Sequence, residues 1–250
     1  MSWEKSEVDG TIGILHTGFV HTVWALSLRQ LIIPKVKYSL VSGVPYDIAR
    51  NLIAEQFLKD GGDWLFFLDS DVVLQPNDLI HLLRISEERK LAVVAALYWR
   101  RTPPIEPAMW VYADESKSKY ISVYPYECKT CGARLVNEFI ASEHRKLGHK
   151  VVRKWEPGEI LLVDAVHMGA TLIKRWVLEE LKIKNPDKPF FYYTAKKYGY
   201  EDGSSEDFYF CKRIIEEIGI RPAVATNVVA KHISHVFIDG YTGEIDFMEV

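Results

Sequence analysis

The stretch of sequence that most constrains the fold is an apolar run that ends in two aspartates. Residues 64 to 68 are all apolar, and Asp69 and Asp71 follow directly. A short continuous apolar run is typical of a strand buried on both faces, as in the middle of a parallel sheet. Ligands of open α/β sheets bind at the carboxyl ends of the strands. The run therefore predicts a central strand with two carboxylates at the binding edge.

These two carboxylates predict a site for a divalent cation. An ionised carboxylate is costly to bury without a partner, and Mg²⁺ or Mn²⁺ held by carboxylates usually also binds substrate phosphates. We therefore expect Asp69 and Asp71 to hold such an ion. The alternative is that they start a turn and cap the next helix. Capping requires only one aspartate, so it leaves the second unexplained.

The composition favours a soluble globular protein. Of the 250 residues, 48% are hydrophobic and 26% are charged, which excludes a disordered chain. No apolar stretch is long enough to span a membrane, and the first residues lack the pattern of a signal peptide. Three cysteines, an odd number, argue against a disulfide framework and for a reducing compartment. We expect a cytoplasmic protein, and association with a membrane through a partner stays open.

Strand-like and helix-like segments alternate along the chain. The predicted strands cover residues 11–15, 38–41, 64–68, 91–97, 160–163, 170–173 and 224–230. The predicted helices begin near residues 19, 45, 76, 175 and 204. This alternation predicts a three-layer α/β domain with a mostly parallel central sheet.

Three of these helices have apolar residues at helical spacing. The residues concerned are Phe19, Val23 and Leu26 in the first helix, Ile48, Leu52, Ile53 and Phe57 on one face of the second, and Phe208, Cys211, Ile215 and Ile218 in the last. The spacing predicts that the last set points inward. Gly61 and Gly219 end the second and last helices, because glycine readily adopts the left-handed conformation at a helix end.

Four side chains of the kind that bind zinc occur in the middle of the chain. Cys128, Cys131, His144 and His149 have the spacing C-x(2)-C-x(12)-H-x(4)-H. Zn²⁺ prefers four nitrogen or sulfur ligands in a tetrahedron, and residues 136–146 can form a helix that presents both histidines. Four protein ligands leave no open position, so such an ion would be structural. The alternative is a surface loop in which the cysteines and histidines coincide by chance.

This spacing resembles the two-cysteine, two-histidine zinc finger. Two positions depart from that pattern: Leu135 stands where such fingers usually have an aromatic core residue, and Ala141 stands where they have leucine. We expect Phe139 and Ile140 to compensate.

The same region is basic. Residues 117–154 contain nine Lys/Arg and three Asp/Glu, a balance of +6, whereas the rest of the chain has 22 against 31, a balance of −9. A basic insert on an acidic body could meet an anionic acceptor, such as a nucleic acid, a protein or a phosphorylated lipid, or a membrane surface. The alternative is a solvated face crossed by salt bridges.

Six short motifs occur in order along the chain. They are Asp47 to Asn51, Asp69 to Asp71, Leu97 to Pro104, Val163 to Ala170, Ser205 to Cys211, and Lys231-His232. In this order they resemble the GT-A-type glycosyltransferases of the family-2-like kind, over about residues 10 to 236 except for the zinc insert. One departure is His167, which stands where relatives usually have glycine.

The resemblance implies transfer of a sugar from a nucleoside diphosphate sugar to an acceptor hydroxyl. Asp71 would hold Mn²⁺ or Mg²⁺ against the leaving diphosphate. Asp69 would bind the ribose, the ion or a metal-bound water, and His232 would complete the metal shell. Arg50 and Arg100 are candidates for bidentate contacts to the phosphates.

The resemblance also implies a general base. Asp207 lies at a helix start, where the helix dipole keeps a carboxylate ionised, and would take the acceptor proton in an inverting enzyme. Glu206 is the alternative base or a contact to acceptor hydroxyls. A simpler reading is that both are first-turn acids of a helix capped by Ser204 or Ser205. Likewise, His232 or His235 could be a hydrogen-bonded histidine at a strand end.

The predicted organisation is a nucleotide-sugar-binding half in residues 1–112, a zinc insertion in 113–156 and an acceptor-side half in 157–250. Two other functions compete with the transferase. A nucleotidyltransferase would need a further acidic ligand, for which Asp164 is the candidate. A nucleic-acid-binding protein would use the finger on a non-catalytic scaffold, although a single finger reads only about three base pairs.

Overall fold

The computed structural model describes residues 9–101, 105–113, 119–193, 205–234, 236–238 and 245–247. The helices are α1 (Thr22–Gln30), α2 (Tyr46–Asp60), α3 (Asp78–Arg89), α4 (Glu138–Lys146), α5 (Arg175–Lys184) and α6 (Glu206–Ile218). The strands are β1 (Gly10–His16), β2 (Val36–Ser42), β3 (Trp64–Leu68), β4 (Val72–Val73), β5 (Val93–Leu97), β6 (Met109–Tyr112), β7 (Tyr120–Ser122), β8 (Tyr126–Cys128), β9 (Arg134–Leu135), β10 (Val151–Arg153), β11 (Ile160–Leu162), β12 (Ala165–Val166), β13 (Ala170–Lys174), β14 (Ala223–Val229), β15 (Lys231–His232), β16 (Val236–Ile238) and β17 (Ile245–Phe247).

A seven-stranded sheet forms the centre of the fold, in the order β11-β14-β5-β13-β3-β1-β2. Strands β1, β2, β3, β5 and β14 run in one direction, whereas β13 and β11 run in the other. The predicted mostly parallel α/β sheet is therefore confirmed. All seven strands predicted from the sequence belong to it.

Strand β3 lies inside this sheet, and all five of its residues are buried. Its neighbour on one side, β1, is parallel to it, whereas β13 on the other side pairs with it in the antiparallel direction. A continuous apolar run reports burial on both faces and contains no information about strand direction. The register Ala170↔Leu68 brings the start of β13 to the end of β3, beside the aspartates.

Helices cover the sheet in layers. Helices α2, α5 and α6 pack against one another in a row, and α3 packs against β5 and β14. The short strand β15 pairs with β4 through His232↔Val72, and the backbone N–H of Ile233 donates to the carbonyl of Asp71. This pairing brings the end of the last strand of the sheet next to the two aspartates.

The apolar faces of the first two helices differ from the prediction. In α1 the buried residues are Trp24 and Ser27, whereas Val23 and Leu26 are exposed. The register of α1 is set by two polar contacts to the backbone: the Trp24 indole N–H donates to the carbonyl of Asp69, and the Ser27 hydroxyl donates to that of Leu74. In α2, Ile53 and Phe57 are buried as predicted, but Ile48 and Leu52 are exposed.

Helix α6 is rotated slightly from its predicted orientation. Cys211 is buried as expected, but its fully buried companions are Phe210 and Ile214, while Phe208 and Ile215 are only partly buried. The reason is that Glu206 and Asp207, in its first turn, are also buried. Ser204 and His235 lie outside the described residues.

Two smaller sheets extend the domain. Strands β10-β8-β9 form one of them, with α4 packed against it, and this unit has its own small core. Strands β12-β6-β7 form the other. The predicted division at residues 112 and 156 stays a prediction.

Candidate active site

A pocket of about 260 Å³ opens at the ends of β1 and β3. Most of the residues predicted for the catalytic site line it, namely Arg50, Asp69, Asp71, Glu206, Asp207 and His232. They come from α2, from the turn after β3, from the start of α6 and from β15. The fold therefore brings together residues that are far apart in the sequence.

Asp69 is held in one orientation at the base of this pocket. Its carboxylate accepts two hydrogen bonds from Arg50, at 3.2 Å from Nη1 and 3.1 Å from Nη2. Its backbone N–H donates to the carbonyl of Gly169 at 2.9 Å, and its own carbonyl accepts the indole N–H of Trp24 at 2.8 Å. Such a bidentate pair combines charge with fixed geometry.

Arg50 joins Asp69 to the two acids of α6. Its side chain is only 2% exposed, and its Nε lies 3.3 Å from an oxygen of Glu206 and 3.3 Å from an oxygen of Asp207. One guanidinium group therefore faces three carboxylates in a buried setting. Buried charges of this kind persist only when they are paired, so the cluster depends on Arg50.

The two acids of α6 bind protons more tightly than usual. Burial and the adjacent charge of Asp207 raise the pKa of Glu206 to about 7, against the effect of Arg50. Burial raises the pKa of Asp207 to about 6, although Arg50 and the backbone N–H of Met168, 3.2 Å away, oppose it. Burial therefore outweighs the predicted effect of the helix dipole, and Asp207 is ionised mainly above about pH 6.

Asp71 has the opposite environment. Its Oδ2 lies 2.7 Å from Nη1 of Arg101 and 3.3 Å from Nε2 of His232. Burial alone would raise the pKa of Asp71, but the hydrogen bond to His232 and the charges of His232 and Arg101 outweigh burial and lower it. Arg101 and, when its ring is protonated, His232 thus place positive charge beside one carboxylate oxygen of Asp71.

The Asp71–His232 pair fits a divalent cation. His232 Nδ1 lies 2.9 Å from the carbonyl of Trp99, which can only accept a proton, so Nε2 of the neutral ring keeps its lone pair toward Asp71. Two adjacent ligands of an octahedral ion, each about 2.1 Å from it, lie about 3 Å apart. The 3.3 Å between Asp71 Oδ2 and His232 Nε2 is close to that separation.

His167 and Tyr98 form another part of the pocket wall. Burial lowers the pKa of His167 to about 4, so its ring is neutral at physiological pH, and it lies 4.7 Å from the Trp110 ring. The Tyr98 hydroxyl accepts the N–H of Gly169 at 3.1 Å. A Cβ atom on Gly169 would lie 2.7 Å from that oxygen, which explains the small residue at this position.

Two predicted residues do not line the pocket. Arg100 pairs with Glu106 at 2.9 Å, and its neighbour Arg101 lines the pocket instead. Asp164, the candidate acid for a nucleotidyltransferase, pairs with Arg221 at 2.8 Å and accepts the N–H of Tyr112. Sequence reasoning therefore missed Arg101, although the motif that begins at Leu97 contained it.

The four predicted zinc ligands meet outside this pocket, between β8, the turn after it and α4. One ligand atom from each of Cys128, Cys131, His144 and His149 lies within 4.8 Å of all the others. The Cys128 Sγ–His149 Nδ1 distance is 3.5 Å, the Cys131 Sγ–His144 Nδ1 distance is 3.8 Å, and the two Nδ1 atoms are 3.3 Å apart. Tetrahedral zinc, with bonds of about 2.3 Å to sulfur and 2.0 Å to nitrogen, places S and N about 3.5 Å apart and two N about 3.3 Å apart. The cluster therefore fits a zinc ion.

The core beside this cluster differs in one respect from the prediction. Leu135 and Ala141 are buried, and Ile140 packs against them, but Phe139 is 72% exposed. The expectation that Phe139 fills the aromatic position is wrong. Tyr126, two residues before the first cysteine and 3% exposed, supplies the ring.

Comparison with known proteins supports the fold. No family model and no curated protein matches this chain. The crystal structure of A197 from STIV matches 96% of this chain and 94% of its own, with a TM-score of 0.51 and 21% identity. A structure of GalNAc-T7 with UDP, GalNAc and Mn²⁺ matches 90% of this chain with a TM-score of 0.54 and 15% identity, and this chain spans 44% of it. At these identities the likeness shows the fold alone.

The chain has a GT-A-like α/β fold with a small inserted Cys/His cluster. The prediction of fold class is confirmed. Among the described helices, none has the length and apolar character needed to cross a bilayer.

Proposed function

We propose that this protein is a glycosyltransferase that uses a divalent cation to move a sugar from a nucleoside diphosphate sugar to an acceptor hydroxyl. The observation that carries the proposal is that the pocket contains two sites of different chemistry. Asp71 and His232 form a pair that can bind a cation, and Glu206 and Asp207 form a pair of acids. GalNAc-T7, whose fold is similar, has been solved with UDP, GalNAc and Mn²⁺, which supports a nucleotide-sugar donor and Mn²⁺ or Mg²⁺ here.

Asp71 and His232 would hold the ion, with Asp69 beside them. When bound, the ion would neutralise charge on the departing diphosphate. Arg101 is the residue to which we assign a phosphate contact, because its side chain is 37% exposed and already sits against Asp71. We assign Arg50 a positioning role, since its guanidinium group faces three carboxylates.

Asp207, with Glu206 as the alternative, would accept the proton of the acceptor hydroxyl. The hydroxyl oxygen would bond to the anomeric carbon of the sugar as the diphosphate leaves. A base works best when its pKa lies near the working pH. The pKa values of about 7 for Glu206 and about 6 for Asp207 meet that condition. We expect the rate to rise between pH 6 and 8 as these groups lose their protons.

We also propose that Cys128, Cys131, His144 and His149 hold a structural zinc ion, because the four ligand atoms already have tetrahedral spacing. Metal analysis of the purified protein should give one zinc per chain. The variant Cys131→Ser should hold less zinc and melt at a lower temperature, because a structural ion contributes directly to folding. Full-length protein without zinc and with unchanged melting would contradict this assignment.

The transferase is tested with a panel of UDP- and GDP-sugars in the presence of Mn²⁺, by measuring release of nucleoside diphosphate. We expect slow metal-dependent release by the wild type and a loss of about 100-fold in Asp71→Asn, because a charge on the ion's ligand is removed. Asp187→Asn, an exposed aspartate on the loop after α5, is the matched control and should not change the rate. Equal release by wild type and Asp71→Asn would refute the metal role. Pyrophosphate release from a nucleoside triphosphate would favour a nucleotidyltransferase.

A further inference from the structure

A second groove lies between the β6–β7 hairpin and residues 126–154, which contain β8, β9, α4 and β10 and which we call the zinc-binding unit. Its volume is about 330 Å³. Apolar side chains of the hairpin, including Val111 and Ile121, line one side. Tyr124, Arg134 and the Glu127–Lys154 ion pair line the other. An aromatic ring, an apolar wall and a few charged hydrogen-bonding groups in one concave surface are typical of a ligand site.

Arg134 differs from most other cations of the zinc-binding unit. Five of those cations form ion pairs: Lys129 and Lys154 with Glu127, Arg145 with Glu138, Lys146 with Glu143, and Arg153 with Glu156. Arg134 pairs with no carboxylate within the described residues, and its guanidinium carbon lies 5.5 Å from the centre of the Tyr124 ring. Stacking on an aromatic ring leaves the N–H groups at the edge of a guanidinium free for a planar anion. The position of Arg134 therefore suits a carboxylate or phosphate in the groove.

Tyr124 connects this groove to the catalytic pocket. Its ring packs edge-on against Trp99, with ring centres 6.2 Å apart, and the carbonyl of Trp99 faces Nδ1 of His232 at 2.9 Å. The hydroxyl of Tyr124 donates to Glu106, the partner of Arg100. Contacts from Tyr124 to Trp99 and from Trp99 to His232 therefore connect the groove to the proposed metal site.

We propose that this groove binds an anionic sugar unit of the acceptor glycan, with Arg134 pairing with its carboxylate or phosphate and Tyr124 packing against the sugar ring. The inference rests on the proposed transferase function and adds the chemical class of the acceptor. Glu127 and Lys154 supply an acceptor and a donor for sugar hydroxyls. The role of the zinc-binding unit is then to hold one wall of the groove in place.

A glycan fits these observations better than a nucleic acid. Binding a nucleic acid draws on many cations that neutralise phosphates along the strand. Here five of the nine cations in residues 117–154 pair with carboxylates in the described part of the chain, so acids interrupt the basic surface predicted from the sequence. The groove contains both a carboxylate and a cation, which suits a ligand with hydroxyl groups and one or two charges.

The experiment measures binding by calorimetry, without donor, to three acidic oligosaccharides: a galacturonate trimer, a heparin tetrasaccharide and a phosphorylated mannose trimer. Maltotriose is the neutral control, and a single-stranded DNA 12-mer tests the alternative. We expect at least one acidic oligosaccharide to bind and Arg134→Gln to weaken its binding about tenfold or more, because a hydrogen bond between charged groups is lost. Arg89→Gln, which removes an exposed arginine at the end of α3, is the matched control and should bind as the wild type does.

The set of oligosaccharides that bind identifies the anionic group that the groove recognises. Binding of the galacturonate indicates a carboxylate, and binding of the mannose phosphate alone indicates a phosphate. No binding of any acidic oligosaccharide at millimolar concentration, equal binding of maltotriose, or no effect of Arg134→Gln would overturn the proposal. Tight binding of the DNA, weakened by Arg134→Gln, would overturn it in favour of a nucleic acid. Oligosaccharide binding is measured without donor, and release of nucleoside diphosphate by the wild type is measured without oligosaccharide, so failure of the acceptor proposal and failure of the transferase proposal are distinguishable.

Discussion

Replacing Arg50 with methionine should destabilise the protein in a manner that depends on pH. Methionine keeps much of the volume of the buried side chain but removes the cation that faces Asp69, Glu206 and Asp207. Three carboxylates then share a buried site without a positive partner. They must either repel one another or take up protons. Either change lowers the free energy of unfolding, so the protein is less stable.

The magnitude follows from the same contacts. Removing one partner of a buried ion pair typically costs about 3–5 kcal/mol. At pH 8 we expect a loss of about 4 kcal/mol, because Glu206 and Asp207 are then mostly ionised in the wild type. At pH 5, with pKa values of about 7 and about 6, both groups are mostly protonated, so Arg50 offsets much less negative charge. If loss of Arg50 raises each of these two pKa values by about one, the difference between pH 8 and pH 5 is about 2–3 kcal/mol.

The assay is urea unfolding in the presence of EDTA at pH 5 and pH 8, followed by circular dichroism. The matched control is Arg213→Met, because Arg213 is also buried, at 4% exposure, and pairs with Glu217 at 2.7 Å. The hydrogen bond from Arg213, against burial, lowers the pKa of Glu217 to about 2, and this group stays ionised at both pH values. Arg213→Met should therefore lose the same free energy at pH 5 and pH 8. An equal loss for Arg50→Met at both values would refute the reasoning that Arg50 neutralises the acids of α6.

Three further predictions concern the pocket and the core. Because the folded-state pKa of Glu206 is raised to about 7, its contribution to stability is complete below about pH 4.5 and is lost as pH rises through 7; Glu206→Gln should flatten this decline in urea titrations, and an unchanged slope would contradict it. Gly169→Ala should cost about 1–3 kcal/mol, and less in a Tyr98→Phe background, because the clashing oxygen is then absent; equal melting shifts in both backgrounds would exclude that clash. Leu172 is fully buried in β13, so Leu172→Ala should lower the free energy of unfolding by about 2–5 kcal/mol. A loss below about 1 kcal/mol would mean that neighbouring side chains fill the cavity.

Much of the central sheet could be predicted from the sequence because its strands carry strong local signals. Strands β3 and β5 are buried along their whole length, so each appears as an uninterrupted apolar run. Helix α2 follows a proline and ends before Gly61, whose φ of 86° suits glycine. Local chemistry of this kind is visible in a single sequence without any knowledge of the neighbours.

Other parts of the fold depend on contacts that the sequence does not display. Strands β4, β12 and β15 have two residues each, too few for any periodic pattern. The face of α1 is set by hydrogen bonds from Trp24 and Ser27 to backbone groups elsewhere in the chain. Apolar spacing alone predicted a different face, and its residues Val23 and Leu26 are exposed.

The same limit applies to the pocket. The order of the motifs was sufficient to predict that Asp71, His232 and Asp207 share one site. It was not sufficient to choose between Arg100 and Arg101, because consecutive side chains in an extended segment point in opposite directions. Arg100 pairs with Glu106, whereas Arg101 pairs with Asp71. Which of the two reaches the pocket depends on the three-dimensional path of the chain, which the sequence does not display.

Similar carboxyl groups in the pocket differ in proton affinity according to their neighbours, which supports separate roles for them. Asp71 faces Arg101 and His232, and its pKa is lowered despite burial, so it stays an ionised ligand over the whole working range of pH. Asp207 is buried among other acids, and its pKa is raised to about 6, so it can take up and release a proton near neutrality. Groups whose environments push their pKa values apart are suited to different steps of one reaction. In this pocket the ionised carboxylate suits the cation and the proton-binding carboxylate suits the acceptor, which is the division of labour that a metal-dependent sugar transfer requires.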